Sequence, residues 1–352
     1  MLRRSDCKSA PEVYCKPEDG RDRAVSDDQI NPLAPTVELA PPPVVGPQMV
    51  ASSTTTPLFI PPRRLALCGG GVRCIAHVGV FKGLQEANLL HCVKEVIGIS
   101  AGALFALMYC CGYSLDQIEQ LALRFDFTVL RNIDPETAFD FPMTLGLDSG
   151  EGLDRLLSSL LTRKGMKEDI TFAEMATLQP IHLRCFATEI QTARVKEFSF
   201  AKTPNISVKF AVRASMSLPI LYTPMKDPVT GSLLMDGGIL HNLPLAFLPQ
   251  EEIAETLAVL FTLKGGDDVS ESDVDILKFF KYIYDSITVM RNKYYLERFP
   301  KQILCVPVKE VSVTDFSPSL EMRKQLIQLA LDSARRFLRT AGSKPIRRYS
   351  VS

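Results

Sequence analysis

Val93-Lys94-Glu95-Val96-Ile97-Gly98-Ile99-Ser100-Ala101-Gly102-Ala103-Leu104-Phe105 is the stretch that decides the fold. Residues 93–99 are apolar and β-favouring, residues 101–111 apolar and helix-favouring. Between them Gly98, Ser100 and Gly102 sit in a G-x-S-x-G pattern. Strand, sharp turn and helix in that order form a nucleophile elbow, which holds a serine on a strained turn with its Oγ pushed above the sheet. Gly98 and Gly102 are required because strand and helix backbones pass so close to the turn that a Cβ would clash. A helix starting at Ser100 aims its unpaired N–H groups and positive dipole end at the reacting oxygen.

Two other stretches carry matching chemistry. Leu65-Ala66-Leu67-Cys68 is a short apolar strand running into Gly69-Gly70-Gly71-Val72-Arg73. Consecutive glycines after a strand let the chain turn with its N–H groups inward, as an anion-binding nest. In an acyl hydrolase such a nest is an oxyanion hole, and the Ala101 N–H, next to the nucleophile, is the expected second donor. Further on, Leu233-Leu234-Met235 leads into Asp236-Gly237-Gly238. A carboxylate at a strand end followed by glycines can approach a serine without steric obstruction.

These three pieces, in this order, resemble the patatin-like phospholipase family. The resemblance rests on residues 69–73, 98–102 and 236–238. His77-Val78-Gly79-Val80, Gly150-Glu151-Gly152-Leu153 and Ala214-Ser215-Met216-Ser217-Leu218-Pro219 support it, and it spans about residues 63–310. It departs from the family at Cys68, where aspartate or serine is common, and at Cys74, where glycine is usual. Neither change removes a nest N–H. The resemblance implies a three-layer α/β/α fold with a largely parallel central sheet. It also implies hydrolysis of fatty-acyl esters of phospholipids or neutral lipids by a Ser100–Asp236 dyad, of phospholipase A or lysophospholipase type. Gly69, Gly70, Gly71 and Ala101 are the expected oxyanion donors, with Arg73, Gly98, Gly102, Gly237 and Gly238 in support. No metal or cofactor is required. A triacylglycerol lipase, an esterase, an acyltransferase or a non-catalytic lipid binder on the same fold are the alternatives.

Composition narrows the setting. The chain has 352 residues, 46% hydrophobic and 23% charged, values of a globular protein. A formal net charge of zero argues against nucleic acid as a partner. The Gly69–Gly71 run lacks both a Walker Gly-Lys-Ser/Thr ending and the third glycine of a dinucleotide fingerprint, since position 74 is Cys74. Nine cysteines without a C-x-x-C pair read as reduced thiols in an intracellular setting. His77, His91, His182 and His241 are scattered without ligand spacing for zinc. No secretory signal opens the chain, and the apolar run 96–113 contains the elbow, so it reads as strand-turn-helix rather than a span. The expected localisation is cytoplasmic, with peripheral contact to a membrane surface.

Residues 1–62, with Pro41-Pro42-Pro43, Pro61-Pro62 and a Ser/Thr run, read as a disordered tail. Residues 63–340 form the expected hydrolase domain and 341–352 a second tail. Within the domain, strands are expected at 181–190, 195–200, 256–263 and 303–308, and helices at 78–87, 272–298 and 317–339. Ser114 with Gln117, and Thr171 with Glu174, are capping boxes that start two more helices. Alternation of strand and helix implies a layered α/β domain.

Serine needs a base. An aspartate with a pKa near ~4 is a weak one, and partial burial would raise it. His241 is the rival, in the order Ser100, Asp236, His241, but it stands too close after Asp236 for separate triad loops. His77 on the first helix reads as structural. Arg73 either braces the glycine loop or meets a substrate phosphate. The helix around residues 276–287 has more large apolar groups than one buried face uses. It either lines an acyl pocket, touches a bilayer or packs as core.

Overall fold

β-Branched and apolar runs build the sheet that carries the site. The computed structural model describes residues 60–133, 139–262, 276–308 and 316–341. Almost all of the two expected tails, and the start of the helix expected at 272, lie outside the described residues. The strands are β1 (Arg64–Leu67), β2 (Glu95–Ile99), β3 (Gly146–Asp148), β4 (His182–Glu189), β5 (Arg194–Ser199), β6 (Ile220–Tyr222), β7 (Met225–Lys226), β8 (Leu233–Asp236), β9 (Thr256–Thr262) and β10 (Ile303–Pro307). The longer helices are α1 (His77–Glu86), α2 (Ala101–Cys110), α3 (Leu115–Arg124), α4 (Glu151–Thr162), α5 (Phe172–Leu178), α6 (Val208–Ser215), α7 (Ile276–Arg298) and α8 (Leu320–Ala341). Both capping boxes form, at the starts of α3 and α5. Asn88, at φ 54°, turns the chain out just beyond α1. No described helix is long and apolar enough to cross a membrane.

The main sheet has eight strands in the order β10-β9-β1-β2-β4-β8-β7, with β5 also on β4. From β10 to β4 the pairs are parallel; β5, β8 and β7 join antiparallel. The expected largely parallel sheet is therefore present, with an antiparallel limb that strand periodicity alone did not indicate. β3 and β6 form a separate parallel pair.

Alternate residues along each strand face opposite layers. Leu65, Leu67, Val96, Val259 and Leu304 join the core made with α1, α2, α3, α6 and α8. Ala66, Ile97, Ile99, Phe186 and Ala258 face the other way, against Leu243, Leu245 and the α7 residues Tyr295 and Leu296. Helical layers on both faces give the three-layer α/β/α architecture. The N-terminal strand ends are tied together by charge. Glu95 accepts from Arg64 Nε at 3.0 Å and from Arg184 Nε at 2.9 Å, and Arg184 also pairs with Glu252 at 3.0 Å. These groups are partly buried, so the network pins strand alignment at the end remote from the glycine loop.

α1 and α8 touch backbone to backbone at Gly79. A Cβ there would fall 2.0 Å from the Ile327 carbonyl and 2.6 Å from the Leu331 nitrogen. Neither backbone atom can rotate away, so Gly79→Ala should force the two helices apart. The expected cost is about 3 kcal/mol, read as a lower urea midpoint with an unchanged m-value.

Candidate active site

Strand register, not proximity in sequence, assembles the candidate site. β4 pairs with β2 through residues 182–186 and with β8 through 187–189. β5 pairs across residues 184–189, which overlap both sets, so β2 and β8 share the opposite edge of β4 end to end. Ile99 lies opposite Phe186, and Asp236 opposite Ala187, the next residue. β8 runs antiparallel to β4, so its last residue meets the last residue of β2 head on. Ser100 therefore emerges beside Asp236. On the other side of β2, Leu67 is opposite Gly98. Two residues on, Gly69 stands beside Ser100; a Cβ at Gly69 would lie 2.8 Å from the Ser100 Cβ.

Ser100 has φ 55° and ψ −135° and is the N-cap of α2. Positive φ in a non-glycine residue is strain of about 1–3 kcal/mol, held by its surroundings. The expected clashes are present. A Cβ at Gly98 would lie 2.4 Å from the Ala103 Cα, and one at Gly102 2.5 Å from the Cys68 carbonyl. The Ser100 N–H, one of the unpaired donors of a helix start, donates to Ser215 Oγ at 3.0 Å.

Asp236 is fully buried, more than the partial burial expected from the sequence. Oδ1 accepts the Gly238 N–H at 2.8 Å. Oδ2 is buried with no partner at hydrogen-bonding geometry. Burial is the largest influence and raises the carboxyl pKa to about 6, against smaller downward pulls from the Ser100 side chain and the Gly238 N–H. The main chain of Asp236 is fixed on both sides: its N–H donates to the Ser217 carbonyl at 2.8 Å, and its carbonyl accepts from Thr188 Oγ1 at 2.9 Å. Gly237 is glycine because a Cβ would fall 2.4 Å from the Phe186 carbonyl.

The glycine loop leads from β1 into a 3₁₀ turn, Gly71–Ala76, with Gly71 at φ 54°. Among the described residues, the N–H groups of Gly69, Gly70, Gly71 and Ala101 donate to no acceptor. Gly70, Gly71 and Ser100 are partly exposed, so a substrate oxygen can reach this side. Asn242 Nδ2 donates to the Gly69 carbonyl at 3.0 Å and holds the loop against Ser100. His77 Nε2 donates to the Cys68 carbonyl at 2.9 Å, and its ring stacks on Phe261 with centroids 4.8 Å apart. Burial lowers its pKa to about 4, so it is a neutral brace, as the sequence reading expected. Arg73 is buried within the turn itself, and its charge acts on the Cys68 and Cys74 thiols. That position fits loop support. Burial pushes the Cys68 thiol up to about 12 and Cys74 well above its usual value, so both stay protonated.

His241 is engaged on one side of its ring, and its Nε2 is buried without a partner among the described residues. Its Nδ1 accepts the Leu243 N–H at 3.2 Å, and its ring edge meets Tyr295 at 4.9 Å between centroids. Burial, aided by Arg291, lowers its pKa to about 4. No three His, Cys, Asp or Glu side chains converge as a metal site among the described residues.

Sequence reasoning missed the positioning role of the end of α6 and the turn after it. Ser215 and Ser217, two residues apart, hold the Ser100 N–H and the Asp236 N–H respectively. Arg213, fully buried, donates from Nη1 to Ser217 Oγ at 2.7 Å and from Nη2 to the Ser149 carbonyl at 2.9 Å. The Ser215-Met216-Ser217 pattern was visible, but its contacts join residues far apart in the chain. Asn242 and Thr188 carried no sequence signal.

The patatin-like phospholipase family matches this chain over residues 65–248, more than half its length. An uncharacterised protein of Acanthamoeba polyphaga mimivirus is 23% identical, over 78% of this chain and 92% of its own. A probable lipid hydrolase of Invertebrate iridescent virus 6 is 26% identical, over 52% of this chain and 62% of its own. Among solved structures, VipD from Legionella pneumophila aligns with a TM-score of 0.55 at 18% identity, covering 84% of this chain and 72% of that one. This last likeness is one of fold.

The buried carboxyl has a consequence for stability. Its pKa is about 6 in the fold and near ~4 in the unfolded chain, so the native state holds the proton more tightly. Below pH ~4 both states are protonated and the fold bears no cost. As pH rises through about 6, the fold bears the buried charge, roughly 3 kcal/mol. Asp236→Asn should therefore be more stable than wild type at pH 8, with the difference vanishing at pH 4, in urea unfolding at the two pH values.

Proposed function

The chain belongs to the patatin-like phospholipase family and is a hydrolase; from that premise we propose that it cleaves fatty-acyl esters of membrane lipids with Ser100 as nucleophile and Asp236 as base. The observation that carries this reading is the shared edge of β4. Among the described residues it sets a strained, partly exposed serine against a buried carboxyl whose second oxygen lacks a partner, beside N–H groups without acceptors.

In the proposed cycle, ionised Asp236 takes the Ser100 proton as Oγ bonds to the ester carbonyl carbon. The carbonyl oxygen gains negative charge and is held by N–H groups of the glycine loop and of Ala101; one such donor typically contributes ~3 kcal/mol. The intermediate collapses, the C–O ester bond breaks, and Asp236 returns the proton to the departing alcohol. Water then gives a proton to Asp236 and attacks the acyl-serine, and the fatty acid leaves as Oγ is reprotonated. An alcohol in place of water would make the same site an acyltransferase. A pKa of about 6 suits Asp236 to this shuttling better than an exposed aspartate, being closer to working pH. The seven described cysteines are all free, which fits action inside the cell.

Ser100→Ala and Asp236→Asn should each lower fatty-acid release by at least ~10³-fold while retaining the fold by circular dichroism. A fluorophosphonate probe should label wild type and not Ser100→Ala. Turnover retained by either variant would sink the dyad, and release compared across head groups and acceptor alcohols separates phospholipase, neutral lipase and acyltransferase.

Because the base must be ionised, kcat/KM should climb with pH and level off above about 6. A profile flat from pH 5 to pH 7 would remove Asp236 from the base role.

A further inference from the structure

α7 is apolar on two opposite sides. Its inner side packs Tyr295 and Leu296 against the sheet and buries Asn292. On its outer side Phe279, Ile283, Ile287, Met290 and Tyr294 are exposed by 57%, 44%, 44%, 73% and 55%. At 3.6 residues per turn these five positions fall within an arc of roughly 80°. They form one continuous stripe, unlike the scattered apolar residues of an ordinary surface. By the same helical geometry Arg291 and Arg298 fall along one side of the stripe, Lys293 along the other, and Glu297 in line with Phe279. Arg291, Lys293 and Arg298 against Glu297 leave this side of the helix with a net charge of +2, in a chain whose total is zero. α7 is also tied to the candidate site: Arg291 Nη1 donates to the carbonyls of Ile239 and Leu240, in the turn that follows Asp236.

We propose that this outer stripe of α7 docks on an anionic phospholipid bilayer. The large side chains enter the boundary between head groups and acyl chains, and the flanking cations meet the lipid phosphates. Charge complementarity selects this occupant. A second copy of the chain would set these basic flanks against each other, and a neutral apolar partner would leave Lys293 and Arg298 without an anion. The proposal rests on the reading that the site acts on membrane lipid, and it adds the surface by which the protein reaches that lipid.

The test uses the full chain and the double variant Phe279→Asp/Met290→Asp, neither residue belonging to the site machinery. Co-sedimentation is measured with phosphatidylcholine vesicles, with and without phosphatidylglycerol, alongside hydrolysis of a water-soluble short-chain ester and size-exclusion chromatography. Wild type should bind the anionic vesicles preferentially, and the variant should bind at least ~10-fold more weakly with soluble-ester hydrolysis unchanged. Equal vesicle binding by variant and wild type overturns the proposal, as does equal binding to neutral and anionic vesicles. A wild-type dimer that the variant converts to monomer also overturns it, assigning the stripe to a second copy. Wild type that binds anionic vesicles but hydrolyses no ester leaves the docking surface standing and removes the enzymatic reading instead.

Discussion

The edge of β4 is shared by two strands that run toward each other, and the proposed chemistry depends on that sharing. β2 occupies residues 182–186 of the edge and β8 occupies 187–189, so Ile99 and Asp236 lie opposite consecutive residues of one strand. Backbone hydrogen bonds set this spacing, and a slip of one residue would turn every side chain of the slipped strand to the other face. Since both faces of the sheet are buried in apolar layers, such a slip would be heavily penalised. The hydrophobic core thereby fixes the distance between two polar side chains that contribute nothing to it.

Around that junction the fold tolerates several unfavourable features. Ser100 is held at positive φ, Asp236 is buried with one oxygen unpartnered, and a group of loop N–H donors lacks acceptors among the described residues. Each costs free energy on its own. They persist because rigid surroundings leave no alternative. Gly98 and Gly102 let the α2 and β1 backbones close on the elbow, and Ser215 and Ser217 take the two backbone N–H groups that would otherwise be orphaned. A buried arginine, Arg213, keeps that bracket in place through Ser217. A carboxyl destabilised in its charged form is, for the same reason, one that accepts a proton readily. Stability and the proposed reactivity thus pull in opposite directions at a single residue.

α7 joins this arrangement to the surface. Its inner face completes the layer over Ile97, Ile99 and Phe186, while Arg291 bonds the turn after Asp236. A helix whose apolar residues recur on both sides has little net amphipathicity, so the sequence pattern indicates only an excess of apolar groups. Burial separates the two sets: Tyr295 packs inward, while Phe279 and Met290 face outward.

Local features were legible in the sequence because their causes are local. The elbow at Gly98–Gly102 follows from strand propensity, helix propensity and the absence of Cβ atoms at the crossing. The capping boxes at Ser114 and Thr171 follow from side chains bonding their own helix starts. The glycine loop and the Asp-Gly-Gly turn could be read in the same way, and the alternating pattern sufficed for the layered α/β class. Only tertiary structure decided that β8 enters antiparallel against β4, that Asp236 is fully buried, and that Ser215, Ser217 and Asn242 brace the site. The reason is physical: these outcomes depend on strand pairing and packing between segments more than a hundred residues apart in several cases. Local propensity and periodicity carry no record of which distant edge a strand will find.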